Sequence, residues 1–105
     1  MATQIASLRS LDKLSQIEIL LRFATNLTVA AREAYKHGTD EVRQPERLRD
    51  MNEIMHQVLQ HASHVLMDEL KRYPDEVLDS IILEHAARSG LEKDVDWAWR
   101  SATKD

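Results

Sequence analysis

The sequence predicts an all-α fold, a small helical bundle, on three observations. Only two glycines and two prolines occur among 105 residues, so there are few of the breaks that separate short strands. Leu, Ala, Glu, Arg and Met, which are good helix formers, outnumber Val, Ile, Phe, Tyr and Trp. Apolar residues also recur at helical spacing along the chain. A chain of this length forms one domain, residues 1–105.

The first helix is predicted over residues 15–37 and carries two apolar seams. One seam follows a heptad pattern, and the other lies about 110° further round the helix. The heptad seam is Leu14, Ile17, Leu21, Ala24, Thr28, Ala31 and Tyr35, and the second seam is Leu20, Phe23, Leu27, Ala30 and Ala34. Because one seam faces one neighbour, this helix is expected to pack on two sides.

Capping and breaking residues set the ends of the first two helices. A capping-box pattern from Ser15 to Glu18 starts the first helix, and Gly38 ends it. Pro45 suits the first turn of the second helix, because its missing N–H would be unpaired there in any residue. The second helix is predicted over residues 46–72 and ends at Tyr73-Pro74.

Two shorter helices complete the predicted bundle. The third covers residues 75–89, with acidic residues in its first turn and Gly90 as its stop. The fourth covers residues 91–102 and is opened by a second capping-box pattern, from Ser89 to Glu92. Its inner face is predicted to be Leu91, Val95, Ala98, Trp99 and Ala102. Trp97 points nearly the opposite way, so it is expected either to pack under another element or to anchor an interface.

Composition argues against several classes of function. The net charge of −4 provides no basic face, so no nucleic-acid binding is expected. No apolar run reaches the roughly 18–20 residues of a membrane span. The absence of cysteine fits a reducing compartment, and the first residues lack the apolar segment of a secretory signal, so we expect a cytoplasmic protein.

The sequence also lacks the usual signs of an enzyme. There is no cysteine nucleophile, and the serines lie at predicted caps or within helices. Two glycines cannot build the usual loop that cradles phosphates, so no cofactor is expected either. We therefore expect no enzymatic activity.

One candidate metal site lies on the second helix. His61, His64 and Asp68 occupy positions i, i+3 and i+7, which places two imidazoles and a carboxylate on one helix face. This face is opposite the apolar one, so a metal there would be open to water and weakly held. The other interpretation is a solvated polar face that happens to contain histidines.

His85 is a different case, because it falls in the middle of the apolar face of the third helix. A buried imidazole needs a hydrogen-bond partner. We expect a backbone or hydroxyl partner within the core, or alternatively a contact with a ligand or a pH-sensitive packing contact.

The second seam of the first helix is covered either by the third and fourth helices, in a monomeric bundle, or by a second copy of the chain. Because the third and fourth helices are each only about half as long as the second, we favour a homodimer. The predicted interface residues are Ile19, Phe23 and Ala30, on the side of the helix that the second helix leaves uncovered, together with Trp97. The leading hypothesis is therefore a non-enzymatic, self-associating interaction protein: a regulator, adaptor or assembly factor. The alternative is a bundle that binds a metal or small ligand through the histidines of the second helix or a pocket at His85.

Overall fold

Helices make up nearly all of the chain that the structure, a computed structural model, describes: residues 5–37, 44–69 and 74–104. The elements are a 3-10 helix (Ile5–Ser10) and the α-helices α1 (Lys13–His37), α2 (Gln44–Leu66), α3 (Asp75–Ser89) and α4 (Glu92–Thr103). These three stretches contain no strand. The predicted all-α bundle, two long helices followed by two shorter ones, is confirmed.

The cap of α1 differs from the predicted one. Asp12 Oδ1 accepts the backbone N–H of Ser15 at 2.7 Å, which is the hydrogen bond of a helix N-cap. Hydrogen bonds from the backbone and side chain of Ser15 hold the pKa of Asp12 below its ordinary value of 3.8. Ser15 therefore lies inside α1, and the predicted capping box from Ser15 to Glu18 is wrong. Gly38, the predicted stop, lies outside the described residues.

The second helix ends earlier than predicted. Pro45 lies in the first turn of α2, as expected, but α2 ends at Leu66 instead of residue 72. Asp68 has a φ of 57°, in the left-handed region, and Glu69 N–H donates to His64 O at 2.8 Å. Aspartate is one of the few residues besides glycine that adopt this conformation, and it turns the chain out of the helix. Residues 70–73 lie outside the described part of the chain.

The turn between α3 and α4 is built on Gly90. This residue has a φ of 67°, and Leu91 N–H donates back to Ala86 O at 2.8 Å, as in a Schellman-type helix end. The predicted ends of the third helix are confirmed. The second capping box is wrong, because Ser89 belongs to α3 and its hydroxyl donates to Asp50 on α2.

The α-helices run alternately up and down, as in a four-helix bundle. α1 packs between α2 and α4, and α3 packs on the other side of α2. Lys13 Nζ, at the start of α1, lies 3.4 Å from Leu66 O at the end of α2. At the α1–α4 contact, Asn26 Nδ2 donates to Ala98 O at 3.0 Å. The 3-10 helix lies against α3.

The core contains the second seam of α1 and the inner face of α4. The fully buried large side chains include Phe23, Leu20, Leu27, Ile54, Val58, Ile82 and Val95. All five residues of the predicted inner face of α4 are buried, so this prediction is confirmed. Each large buried side chain, such as Phe23 or Leu20, contributes about 1.5–3 kcal/mol to folding relative to an exposed one. The core therefore holds the helices in a fixed arrangement and defines their outer faces.

Candidate functional site

The contact between α2 and α3 holds a buried carboxylate. Asp50 on α2 is 5% exposed. Its Oδ1 lies 2.7 Å from His85 Nδ1 and 3.6 Å from an Arg88 nitrogen, and its Oδ2 accepts a hydrogen bond from the hydroxyl of Ser89. All three partners belong to α3. His85 is thus paired with a carboxylate, where the sequence predicted a backbone or hydroxyl partner.

The surroundings of Asp50 favour its charged form. Burial alone raises the pKa of Asp50, because it removes water from the carboxylate. Hydrogen bonds from Ser89 and His85, together with the electrostatic interactions of Arg88 and His85, outweigh this effect. The pKa of Asp50 consequently lies below its ordinary value of 3.8.

A second imidazole–carboxylate pair joins the same two helices. His61 Nε2 on α2 lies 2.6 Å from Asp75 Oδ1 on α3, and both side chains are buried. Asp75 Oδ2 accepts a further hydrogen bond from Arg9 Nε at 2.7 Å. Each helix thus contributes one aspartate and one histidine, and the antiparallel packing brings each aspartate to the histidine of the other helix.

The arrangement at Asp50 is not that of a catalytic triad. In a serine nucleophile site the imidazole lies between the hydroxyl and the carboxylate, so that it can take the hydroxyl proton. Here the carboxylate of Asp50 lies between Ser89 and His85. Ser89 donates to a carboxylate whose pKa is lowered, which is a much weaker base than an imidazole. The geometry supports a role in holding α2 to α3.

The predicted metal triplet is not assembled. His61 is buried against Asp75, so its placement on a solvated face is wrong. His64 lies beside it, with 6.5 Å between the ring centroids. Asp68 lies beyond the end of α2 and pairs with Lys13 Nζ at 2.8 Å. Within the described stretches, no group of three or more histidine or acidic side chains is placed to hold a metal ion. The reasons are that α3 covers His61 and that α2 ends before Asp68.

Polar contacts hold the 3-10 helix against the start of α3. Ile5 N–H lies 3.1 Å from both carboxylate oxygens of Asp79. Burial raises the pKa of Asp79 above its ordinary value of 3.8, although the N–H groups of Ile5 and Ala6 oppose the shift. Arg9 adds hydrogen bonds to Asp75 and to Glu76, at 2.7 and 2.6 Å. The apolar side chains of Ile5 and Leu8 are buried beneath.

Three of the predicted interface residues lie inside the monomer. Phe23 is fully buried and meets Trp99 edge to face, with ring centroids 5.3 Å apart. Ala30 is also buried, and Ile19 is partly buried against the core. The prediction that these residues lie on an uncovered side of α1 is wrong, because α4 covers that side.

Trp97 lies on the surface, as predicted, and is 47% exposed. It lines an open groove of ≈ 540 Å³ between α1 and the start of α4. Val29 and Ala30 form part of the groove wall, and Arg47 and Asp94 form its polar end. A role for Trp97 in an interface stays a prediction.

Part of the heptad seam of α1 stays exposed, namely Leu14, Leu21 and Tyr35, whereas Ala24 of the same seam is buried. We define the α1–α2 outer face as Leu14, Leu21 and Tyr35 of α1 with Leu59 and Leu66 of α2; all five are exposed, Leu14 and Tyr35 at 69% and 65%. The partly buried Ile17 and Met55 pack on the core at its inner edge. Thr28 Oγ1 lies 3.1 Å from Met55 Sδ, which aligns the two helices along this face.

The sequence contains signals for the exposed apolar residues of α1 and for the buried carboxylates. The exposed residues of the heptad seam belong to the two-seam pattern, although their assignment to solvent requires the positions of α2 and α4. The buried carboxylates are less visible. Asp50 and His61 are eleven residues apart, which is close to three helical turns, so they share one side of α2.

Comparisons with protein families, with curated proteins and with solved structures find no match for this chain. None of the described helices combines the length and the apolar character that a membrane span requires.

Proposed function

We propose that this chain is a small, non-enzymatic, self-associating helical interaction protein of the cytoplasm that acts as a regulator, adaptor or assembly factor. The observation that carries the proposal is the α1–α2 outer face, which leaves large apolar side chains in water although the core is complete. Grouped apolar side chains of this kind mark interaction surfaces, whereas single ones are common on any protein.

The chemistry of the chain supports the same proposal. Its net charge of −4 offers little attraction to nucleic acids. The hydroxyl of Ser89 donates to Asp50 and not to His85, so the three residues do not follow the order of a catalytic triad. Association through an apolar face requires neither a cofactor nor a nucleophile.

The metal- or ligand-binding alternative has less support. His61 uses Nε2 to contact Asp75, and Asp68 lies with Lys13. The cavity beside His61 and His64 has a volume of ≈ 190 Å³, which is below the roughly 300–1,000 Å³ typical of ligand sites. Elemental analysis of protein purified without a histidine tag would overturn this ranking if it detected a stoichiometric metal.

Sedimentation velocity at micromolar concentrations tests the proposal. The wild type is expected to be a dimer, and Leu21→Lys, which places a charge on the α1–α2 outer face, is expected to be a monomer with unchanged helicity. Leu83→Lys is the matched control, because Leu83 is similarly exposed but lies on α3. It should remain a dimer. A monomeric wild type would overturn the proposal.

A further inference from the structure

We infer that the second copy binds with its α1 antiparallel to α1 of the first, around a two-fold axis at Thr25; this inference rests on the proposed function. Glu18 and Arg32 lie seven residues before and after Thr25, and all three side chains are exposed. Residues seven apart share one face of a helix. This face therefore carries a negative charge on one side of Thr25 and a positive charge on the other.

These two charges have no ionic partner among the residues that the structure describes. Among the ion pairs of residues 5–37, 44–69 and 74–104, none involves Glu18 or Arg32. Lys13, at the start of the same helix, is by contrast paired with Asp68. In the antiparallel arrangement Glu18 meets Arg32 of the second copy, and symmetry forms this pair twice.

The apolar side chains obey the same symmetry. Leu14 and Tyr35 lie at nearly equal distances on either side of Thr25, so each meets the other across the axis. Leu21 similarly meets Val29, which is also exposed. The seam thus alternates apolar contacts and charge pairs along a helix of 25 residues, about 37 Å long.

The charges select the antiparallel orientation over the parallel one. In a parallel pair each Glu18 would face Glu18 of the second copy, and each Arg32 would face Arg32. Like charges at an interface are strongly unfavourable, and their arrangement fixes orientation and register. Leu59 and Leu66 of α2 flank the seam, so the two α1–α2 hairpins together form a four-helix layer.

Charge reversal tests this orientation. Glu18→Arg and Arg32→Glu are each expected to raise the dimer dissociation constant at least about tenfold, because each substitution makes two like-charged contacts. An equimolar mixture of the two variants should form a heterodimer with near wild-type affinity. The double variant should dimerise with itself. Lys93→Glu, an exposed change on α4, is the control and should have no effect.

Cross-linking gives an independent measure, because the chain contains no cysteine. Under oxidation with copper-phenanthroline, Thr25→Cys should form a disulfide with its own copy, whereas Leu14→Cys should not. Self-cross-linking of both variants would indicate a parallel pair and overturn the inference. A dimer indifferent to both charge reversals would also overturn it, while leaving the proposed function standing. A monomeric wild type would instead refute the proposed function.

Discussion

Asp50 on α2 and His85 on α3 are joined across the helix contact, with 2.7 Å between Oδ1 and Nδ1. Asp75 and His61 form the reciprocal pair, with 2.6 Å between oxygen and nitrogen. A shift of α3 along α2 by one turn, about 5.4 Å, would break both pairs and leave buried polar groups unsatisfied. The two pairs therefore fix the register of α3 on α2 more specifically than apolar packing alone.

Removal of the Asp50 carboxylate should destabilise the fold. Asp50→Ala leaves His85 and Ser89 without their acceptor in a buried position. We expect the free energy of unfolding to fall by about 3 kcal/mol, measured by urea denaturation. Glu84→Gln removes an exposed carboxylate that pairs with Arg88 on the same helix, and should cost no more than about 0.5 kcal/mol. Equal effects of the two substitutions would show that burial at Asp50 contributes nothing.

Asp50 should also make the protein sensitive to acid. Because the pKa of Asp50 is lower in the folded chain than 3.8, its ordinary value, the unfolded chain binds a proton first as pH falls. The stabilising contribution of Asp50 is therefore complete at pH values above its ordinary pKa of 3.8, and it is lost as the pH falls through the lowered pKa of the folded chain. Asp50→Asn, which cannot titrate, should flatten this part of the stability curve. Parallel curves for wild type and variant from pH 6 to 2 would contradict the prediction.

Phe23 should contribute to folding and not directly to association. Phe23→Ala creates a cavity against Trp99 and should lower the free energy of unfolding by about 3–5 kcal/mol. Tryptophan fluorescence during denaturation is the measurement, because Trp99 lies at the altered contact. Leu83→Ala, at an exposed position on α3 outside the α1–α2 outer face, is the control and should leave the protein nearly as stable. A wild-type unfolding curve for Phe23→Ala would place Phe23 outside the core.

The sequence predicts where the helices lie better than it predicts which helices pack against each other. The two-seam pattern of the first helix correctly implies two environments, but it does not say which seam α4 covers. Phe23 and Leu21 are both apolar at helical spacing, yet one is buried and the other remains in water. That difference depends on where the Gly90 turn sends α4, which is a tertiary choice.

The polar contacts were harder to predict for the same reason. The pattern of apolar residues on the second helix places His61 on the opposite face, because that pattern shows only where apolar side chains are buried. A buried histidine paired with Asp75 adds no apolar signal to the pattern. The early end of α2 likewise depends on Asp68, which adopts a left-handed conformation. A glycine at this position would have indicated such a turn in the sequence, but an aspartate does not.

Asp79 should control the attachment of the 3-10 helix. Its carboxylate is the acceptor for Ile5 N–H, and the N–H of Ala6 also bonds to it. Asp79→Ala should accelerate hydrogen exchange at the Ile5 and Ala6 amides, because both lose their acceptor. Asp79→Asn keeps one acceptor oxygen and should retain intermediate protection. The Leu27 amide in the middle of α1 serves as the internal control and should exchange at its wild-type rate. If the Ile5 and Ala6 amides stay fully protected in Asp79→Ala, then the buried side chains of Ile5 and Leu8 hold the 3-10 helix in place without the carboxylate.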